Sequence, residues 1–411
     1  MGTAHNALIF PSYVVRPRTC RVYDTRHMVA IASRPVRTTV AAMSALVVAM
    51  SISRFAYTPI LPVMIEQHAL SHEFGALLAS VNLLGYLAGA VLASTHWAHR
   101  HRTGALKWSL AAIVVTLALM AVPNAGTLWS LARFVSGVAS AFVFVLASSL
   151  VLDLRHTPHA TALFSSVGAG IALTGIVIPI AYRISPDWTT GWIVTTAIAV
   201  VLSIVTAALL IELPSSNVTH LSAAPSRLSV RGAIVLACYG IAGFAYVIPA
   251  TFLVVLVASA PALRAYAFAT WIVVGVFACA TTFLWGPLST RFGKGATLSA
   301  ALLLLAVSCA APVSGNGLLP ALVASFSLGA SFMAVSMLAI GIVRDLEPHQ
   351  SSRRIGQATA IFGIGQVLGP AFTGLLYASL HSYGPAFIAA TGLLVLASAC
   401  IAITFRQREV Q

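Results

Sequence analysis

Residues 51–62 read Ser-Ile-Ser-Arg-Phe-Ala-Tyr-Thr-Pro-Ile-Leu-Pro, a run that embeds Arg54 in a stretch otherwise apolar enough to cross a bilayer. Insertion scales put a charge at the centre of a membrane helix at about 2.5–3.5 kcal/mol, so such residues face a bundle interior or a water-filled cavity. Pro59 and Pro62 each remove a backbone donor, which hydrocarbon tolerates only where neighbours or water satisfy the released carbonyl. The stretch therefore predicts a membrane helix bordering a polar interior.

The rest of the chain supports a membrane setting. Of its 411 residues 59% are hydrophobic and 8% charged, against about 25% charged in soluble domains. Hydropathy gives twelve spans, roughly 38–65, 74–95, 107–124, 128–152, 161–184, 191–211, 232–258, 265–288, 296–312, 318–343, 356–380 and 385–405. Each is near the ~20 residues that cross the hydrocarbon, which predicts an all-α polytopic membrane protein.

The formal charge of +14 is a topology signal. Nineteen of the 23 basic residues fall in the N-terminal tail, the loops after even-numbered spans and the C-terminal tail. Only Arg183 and Arg264 fall on the opposite side, with Arg54 and Arg133 inside spans. The positive-inside rule then puts both termini in the cytoplasm of a multi-pass protein of the inner or plasma membrane, with lipid rather than nucleic acid around it. The five cysteines, four of them within spans, lack metal-ligand spacing and read as small buried apolar residues.

Residues 1–37 are expected to form a flexible cytoplasmic tail, with Met28 as an alternative start. Two six-span halves, 38–211 and 232–405, are joined by a Ser- and Pro-rich linker at 212–231 and followed by a short tail at 406–411. An internal repeat supports the halves: Phe55-Ala-Tyr57 recurs as Phe244-Ala-Tyr246. In order along the chain, Gly85 matches Gly275, Gly137 matches Gly329, and Gly168-x-Gly170 matches Gly363-x-Gly365. Such a series indicates a parallel duplication of six spans. Gly243 stands where the first half has Arg54, so the charge belongs to one half only.

These residues resemble the major facilitator superfamily from about Arg37 onward, and Ser51–Pro62 looks most like its uncharacterised YbfB/YjiJ-type group. Arg133-Phe-Val-Ser-Gly137 is similar to the R-x-x-x-G element of span 4, which that family associates with the translocation pathway. Gly286 to Gly295 is similar to the loop element after span 8, matching at Gly286, Arg291, Gly293 and Lys294, with Thr290 where the family usually has Asp. Gly365-x-x-x-Gly369-Pro370 in span 11 resembles a glycine-proline element that antiporters of the family carry in span 5. The resemblance implies two pseudo-symmetric six-helix bundles and alternating access, with Gly286, Arg291, Gly369 and Pro370 as gating or conformational positions.

Arg54 and Arg133 are the only charges clearly within spans; all nine acids fall in loops, tails or span ends. Either a substrate anion supplies the missing charge, or each arginine binds backbone carbonyls and hydroxyls and serves packing, or one takes part in coupling. Arg54, Tyr57, Asn82, Tyr86, Arg133, Phe144, Tyr246 and Gln366 are the candidate substrate-binding residues, with Tyr239 and Trp271 as further aromatic candidates. Glu66, a candidate proton carrier, lies about 18 Å along the helix from Arg54 at ~1.5 Å per residue and suits the outer end of span 1. Trp97, Trp108, Trp129, Trp188, Trp192 and Tyr383, near span ends, read as interfacial anchors.

No nucleophile elbow, zinc-protease motif or Walker loop is present, so an enzyme, a metal site and a cofactor are not expected. The sequence reads as a secondary transporter, expected to be a monomer, for a small organic solute, with an organic anion as the leading candidate. Efflux of neutral or amphipathic compounds and a receptor-like sensor are the alternatives.

Overall fold

The computed structural model of the chain describes residues 25–152, 157–210, 228–315, 317–346 and 351–406. Twelve helices in it are long and apolar enough to cross a membrane: Pro35–Glu66, His72–Ala93, Arg102–Met120, Gly126–Val151, Thr161–Ile184, Trp188–Leu209, Val230–Ser259, Arg264–Thr281, Lys294–Ser314, Leu318–Leu346, Arg354–Leu380 and Gly384–Arg406. They are numbered spans 1 to 12. Among the described residues, the connections after even-numbered spans carry Arg100, Arg291 and Lys294 and define an arginine-rich end, whereas Arg183 and Arg264 lie at the opposite, arginine-poor end. The linker expected at 212–231 falls largely outside the described residues.

Local chemistry sets several boundaries. Ser71 caps span 2 by accepting from the Phe74 amide at 3.2 Å, and Asp187 caps span 6 by accepting from the Thr189 amide at 2.8 Å. Span 8 stops short of its expected end, and Trp285–Phe292 forms a separate helix. Gly293, at φ 80°, ends that helix because the left-handed region costs glycine no Cβ clash. The helix leading into span 1 begins at Thr25, inside the stretch expected to be tail.

Small residues let the helices close on one another. A Cβ on Gly137 would run into the Asn82 carbonyl, and one on Gly85 into the Phe134 carbonyl, so spans 4 and 2 interlock backbone to backbone. The repeat partner of Gly137, Gly329 of span 10, meets the Val274 carbonyl of span 8 in the same way. Between the bundles, span 5 packs on span 8 where Gly168 meets the Cys279 amide, and span 11 packs on span 2 where Gly363 meets Leu87. The two pairings are related as expected for a pseudo-twofold pair of six-helix bundles.

Two groups of residues sit differently from expectation. Of the six anchors, Trp97 and Trp108 are exposed, but Trp129, Trp188, Trp192 and Tyr383 are buried. Trp129 meets Trp188 edge-on at 5.5 Å and donates to the Val122 carbonyl. Being near a span end does not decide which face of the helix a ring occupies. Among the cysteines, Cys238 and Cys309 are buried, whereas Cys400 is exposed on the bundle exterior.

Candidate functional site

Span 1 changes character at its midpoint. Val47–Phe55 is π-helical and ends at Arg54 and Phe55; Tyr57–Glu66 then continues as α-helix. Pro59 has no amide hydrogen to offer the Phe55 carbonyl. Pro249 of span 7 and Pro370 of span 11 likewise cannot bond the carbonyls of Ala245 and Gln366. Three helices are thus weakened at one level.

At that level the bundles meet through polar groups. Arg54 Nη2 donates to Tyr246 Oη at 2.7 Å, and Gln366 Nε2 donates to the same oxygen at 2.6 Å. Arg54 is 7% exposed, Tyr246 5% and Gln366 3%, so the junction lies in the interior. The Arg54 guanidinium also stands 4.9 Å from the centre of the Tyr86 ring and 5.3 Å from that of Phe55, within range of cation–π attraction. Phe144 meets Tyr86 edge-on at 6.4 Å. Among the described residues no carboxylate pairs with Arg54; the ion pairs there are Arg264–Glu66, Lys294–Asp345 and Arg344–Asp345, none of them in the interior.

Tyr246 belongs to a ladder of rings. Phe332 and Phe362 lie nearly parallel to it, each tilted by 7°, at 6.1 and 5.5 Å, and Tyr239 stacks beyond Phe362 at 4.3 Å. On the Phe55 side is a cavity of about 10 Å³ lined by Phe55, Tyr246, Trp271, Phe332 and four aliphatic residues. That is the lower limit for one water. The Trp271 indole N–H has no acceptor among the described residues.

Tyr57, Asn82 and Arg133 form a separate cluster inside the first bundle. Arg133, 3% exposed, donates through Nη1 to the Ser53 carbonyl at 2.9 Å and lies 4.6 Å over the Tyr57 ring. Tyr57 Oη donates to the Gly75 carbonyl at 2.8 Å, and Asn82 Nδ2 to the Arg133 carbonyl at 2.8 Å. Ser53 Oγ bonds Ser136 and Ser140. These groups tie spans 1, 2 and 4 together. The candidate set therefore divides into Arg54, Tyr86, Phe144, Tyr246 and Gln366 at the bundle boundary, and Tyr57, Asn82 and Arg133 within one bundle.

The sequence reading missed Phe332 and Phe362, which nothing in the sequence sets apart from the other aromatics of spans 10 and 11. It also missed His72, whose Nδ1 is 2.7 Å from Tyr383 Oη and whose ring stacks on Tyr377 at 4.3 Å, joining span 2 to the second bundle at the arginine-poor end. Arg264 and Glu66 pair at the same end, at 2.9 Å. Of the positions assigned to gating, Gly286 and Arg291 lie on the short helix at the arginine-rich end, where Arg291 is 5.3 Å from the Phe292 ring centre. Gly369 packs against Phe244 and Val247 of span 7.

Comparison with known proteins gives a family and a fold. A family model described as "Uncharacterised MFS-type transporter YbfB" matches residues 46–402. No curated protein matches. Among solved structures, a crystal structure of a point mutant of the nucleoside transporter NupG superposes with a TM-score of 0.69 at 14% identity, covering 90% of this chain and 100% of that one. At that identity the likeness shows the fold.

Proposed function

We propose a transport cycle for this chain from the premise that it belongs to the family of MFS-type transporters described as uncharacterised and typified by YbfB. It is a multi-pass membrane protein and a secondary transporter; the cargo we assign to it is a small organic anion, moved by alternating access. One observation carries the assignment. Arg54 is more than nine-tenths buried at the boundary between the bundles, and among the described residues no carboxylate neutralises it. A buried cation without a counter-charge is costly, and an anion entering between the bundles repays that cost in the complex.

The conformation fits one half of such a cycle. Most polar links between the bundles gather at the level of Arg54 and toward the arginine-poor end, namely Arg54–Tyr246, Thr58 to the Ala250 carbonyl, His72–Tyr383 and Glu66–Arg264, with the weaker Ser165–Cys279 sulfur contact at 3.6 Å toward the arginine-rich end. With the arginine-rich end taken as cytoplasmic, the carrier is closed toward the outside. The three prolines at the Arg54 level, with Gly369 beside Pro370, supply the bending that reopens it.

Flux in proteoliposomes across organic acids, sugars and neutral drugs, with and without a pH gradient, tests the assignment. Anions should move and Arg54→Gln should abolish their movement. Transport confined to neutral compounds refutes the anion; binding without flux in an inserted protein refutes transport.

A further inference from the structure

We infer that the anion carries its charge on a flat aromatic ring, as an aromatic monocarboxylate does. This rests on Arg54 being the anion site and narrows what that site accepts. The closed protein already holds such a group there, and it is part of the chain. The Tyr246 phenol presents one oxygen on the edge of a planar ring, and that oxygen receives two donors, Arg54 Nη2 and Gln366 Nε2. The ring itself lies parallel to Phe332 and Phe362 within 7°, with ring centres 6.1 and 5.5 Å away. The site is thus shaped around a disc with an oxygen at its rim.

The chemistry favours an outside ligand of the same outline. A neutral phenol oxygen is a weaker acceptor for guanidinium than a carboxylate, whose two oxygens match the guanidinium fork. Such a ligand can displace Tyr246 from Arg54 and leave one oxygen for Gln366. Its body then needs a surface, and the boundary offers rings: Phe55 and Tyr86 beside Arg54, and Trp271 and Phe332 around the small cavity. Arg54 is the cation hydrogen-bonded at the junction; Arg133, the second buried cation, is turned instead to the Ser53 carbonyl and the Tyr57 ring, and among the described residues no acid stands there for a zwitterion. Saturated rings fill the same volume but lose the stacking contribution, which corresponds to a factor of about 2–10 per ring pair. Since the cavity holds at most about one water, the ligand enters only as the bundles part, and breaking Arg54–Tyr246 is the same event as binding.

Three probes separate charge from flatness: benzoate, cyclohexanecarboxylate and benzamide. Binding is read by the shift in melting temperature of the purified full chain and by counterflow in proteoliposomes. Benzoate should bind at least about tenfold more tightly than either other probe. Tyr246→Phe, which keeps the ring and removes the competing oxygen, should bind benzoate about tenfold more tightly than the wild type, where a purely structural hydroxyl predicts no gain. Cyclohexanecarboxylate binding as tightly as benzoate overturns the flat-ring inference and leaves the anion assignment standing. Benzamide binding as tightly as benzoate overturns both. If none of the three binds, the flat-ring inference is wrong, and the wider panel of acids decides the anion assignment. If Arg54→Gln fails to fold, the Tyr246→Phe result still decides.

Discussion

Thr58 Oγ1 donates to the Ala250 carbonyl at 2.6 Å, one helical turn beyond the Arg54–Tyr246 bond on both spans. Spans 1 and 7 therefore run side by side in one direction, and toward the arginine-poor end they are hydrogen-bonded through the hydroxyl of a small residue on a backbone carbonyl. Removing that hydroxyl leaves the guanidinium as the remaining polar tie at this level. Thr58→Val should weaken the closed state by about 1 kcal/mol, a factor of about 5 in the open-to-closed ratio. Labelling of a cysteine placed at the boundary, compared with and without the substitution, reads that ratio; unchanged labelling would discount the bond.

Arg54→Lys tests whether geometry matters as well as charge. An ammonium keeps the charge but loses the planar fork that reaches Tyr246 and the rings beside it. Transport efficiency should fall by about 10- to 100-fold with the protein still correctly inserted, a loss of the size of one charged hydrogen bond. Near-native transport by the lysine variant would mean that position 54 needs only a positive charge.

Arg133 should respond differently. Its bond to the Ser53 carbonyl and its place over Tyr57 hold three helices of one bundle. Arg133→Met should lower stability by about 1–3 kcal/mol and reduce the yield of folded protein. Flux per folded molecule should stay within about threefold of the wild type, a ratio worth well under 1 kcal/mol. A stable variant without flux would move Arg133 into the transport site.

The Glu66–Arg264 pair sits at the arginine-poor end with both side chains more than half exposed. Exposed pairs contribute about 0–1 kcal/mol and are screened by salt. Glu66→Gln should therefore shift the carrier only slightly toward its outward-open form, and raising the salt concentration should erase the difference from wild type. A large shift that survives high salt would point to a role for Glu66 beyond this pair.

Two glycines with similar motif standing should part company. Gly137→Val would drive a side chain into the Asn82 carbonyl, whereas a Cβ on Gly286 meets nothing within 4 Å. The first substitution should prevent assembly of spans 2 and 4, at a cost of several kcal/mol given the overlap with backbone; overpacking alone costs about 1–3. Gly286→Ala should leave expression and melting temperature unchanged.

Much of the fold was readable because hydrocarbon imposes length and polarity on every span, and a buried arginine announces itself against such a background. Span 8 was misjudged because Trp285–Phe292 continues the apolar run without a charge until Arg291. The repeat was readable where glycines do the same packing job twice, as Gly137 and Gly329 do. It misled where identical residues face different ways: Tyr57 points into its own bundle toward Gly75, while Tyr246 points across the boundary to Arg54. Gly243, which takes Arg54's place in the repeat, lets span 7 approach the Phe362 carbonyl. The arginines themselves were visible, but their division between boundary and bundle was not, since it depends on helix rotation. The ring ladder around Tyr246 was hidden for the same reason: its four members come from spans 7, 10 and 11 and share no spacing.

The π-helical stretch that ends at Phe55 gives span 1 a mechanical property that spans 7 and 11, α-helical through the same level, lack. A π turn holds about one residue more than an α turn, and each residue of an α-helix sweeps about 100°. Rewinding a single turn of Val47–Phe55 would take up that surplus and rotate everything beyond it like a key in a lock. Arg54 would swing away from Tyr246 while Tyr57–Glu66 turned as one piece, so that the counter-charge site and the outer closure moved on a single axle.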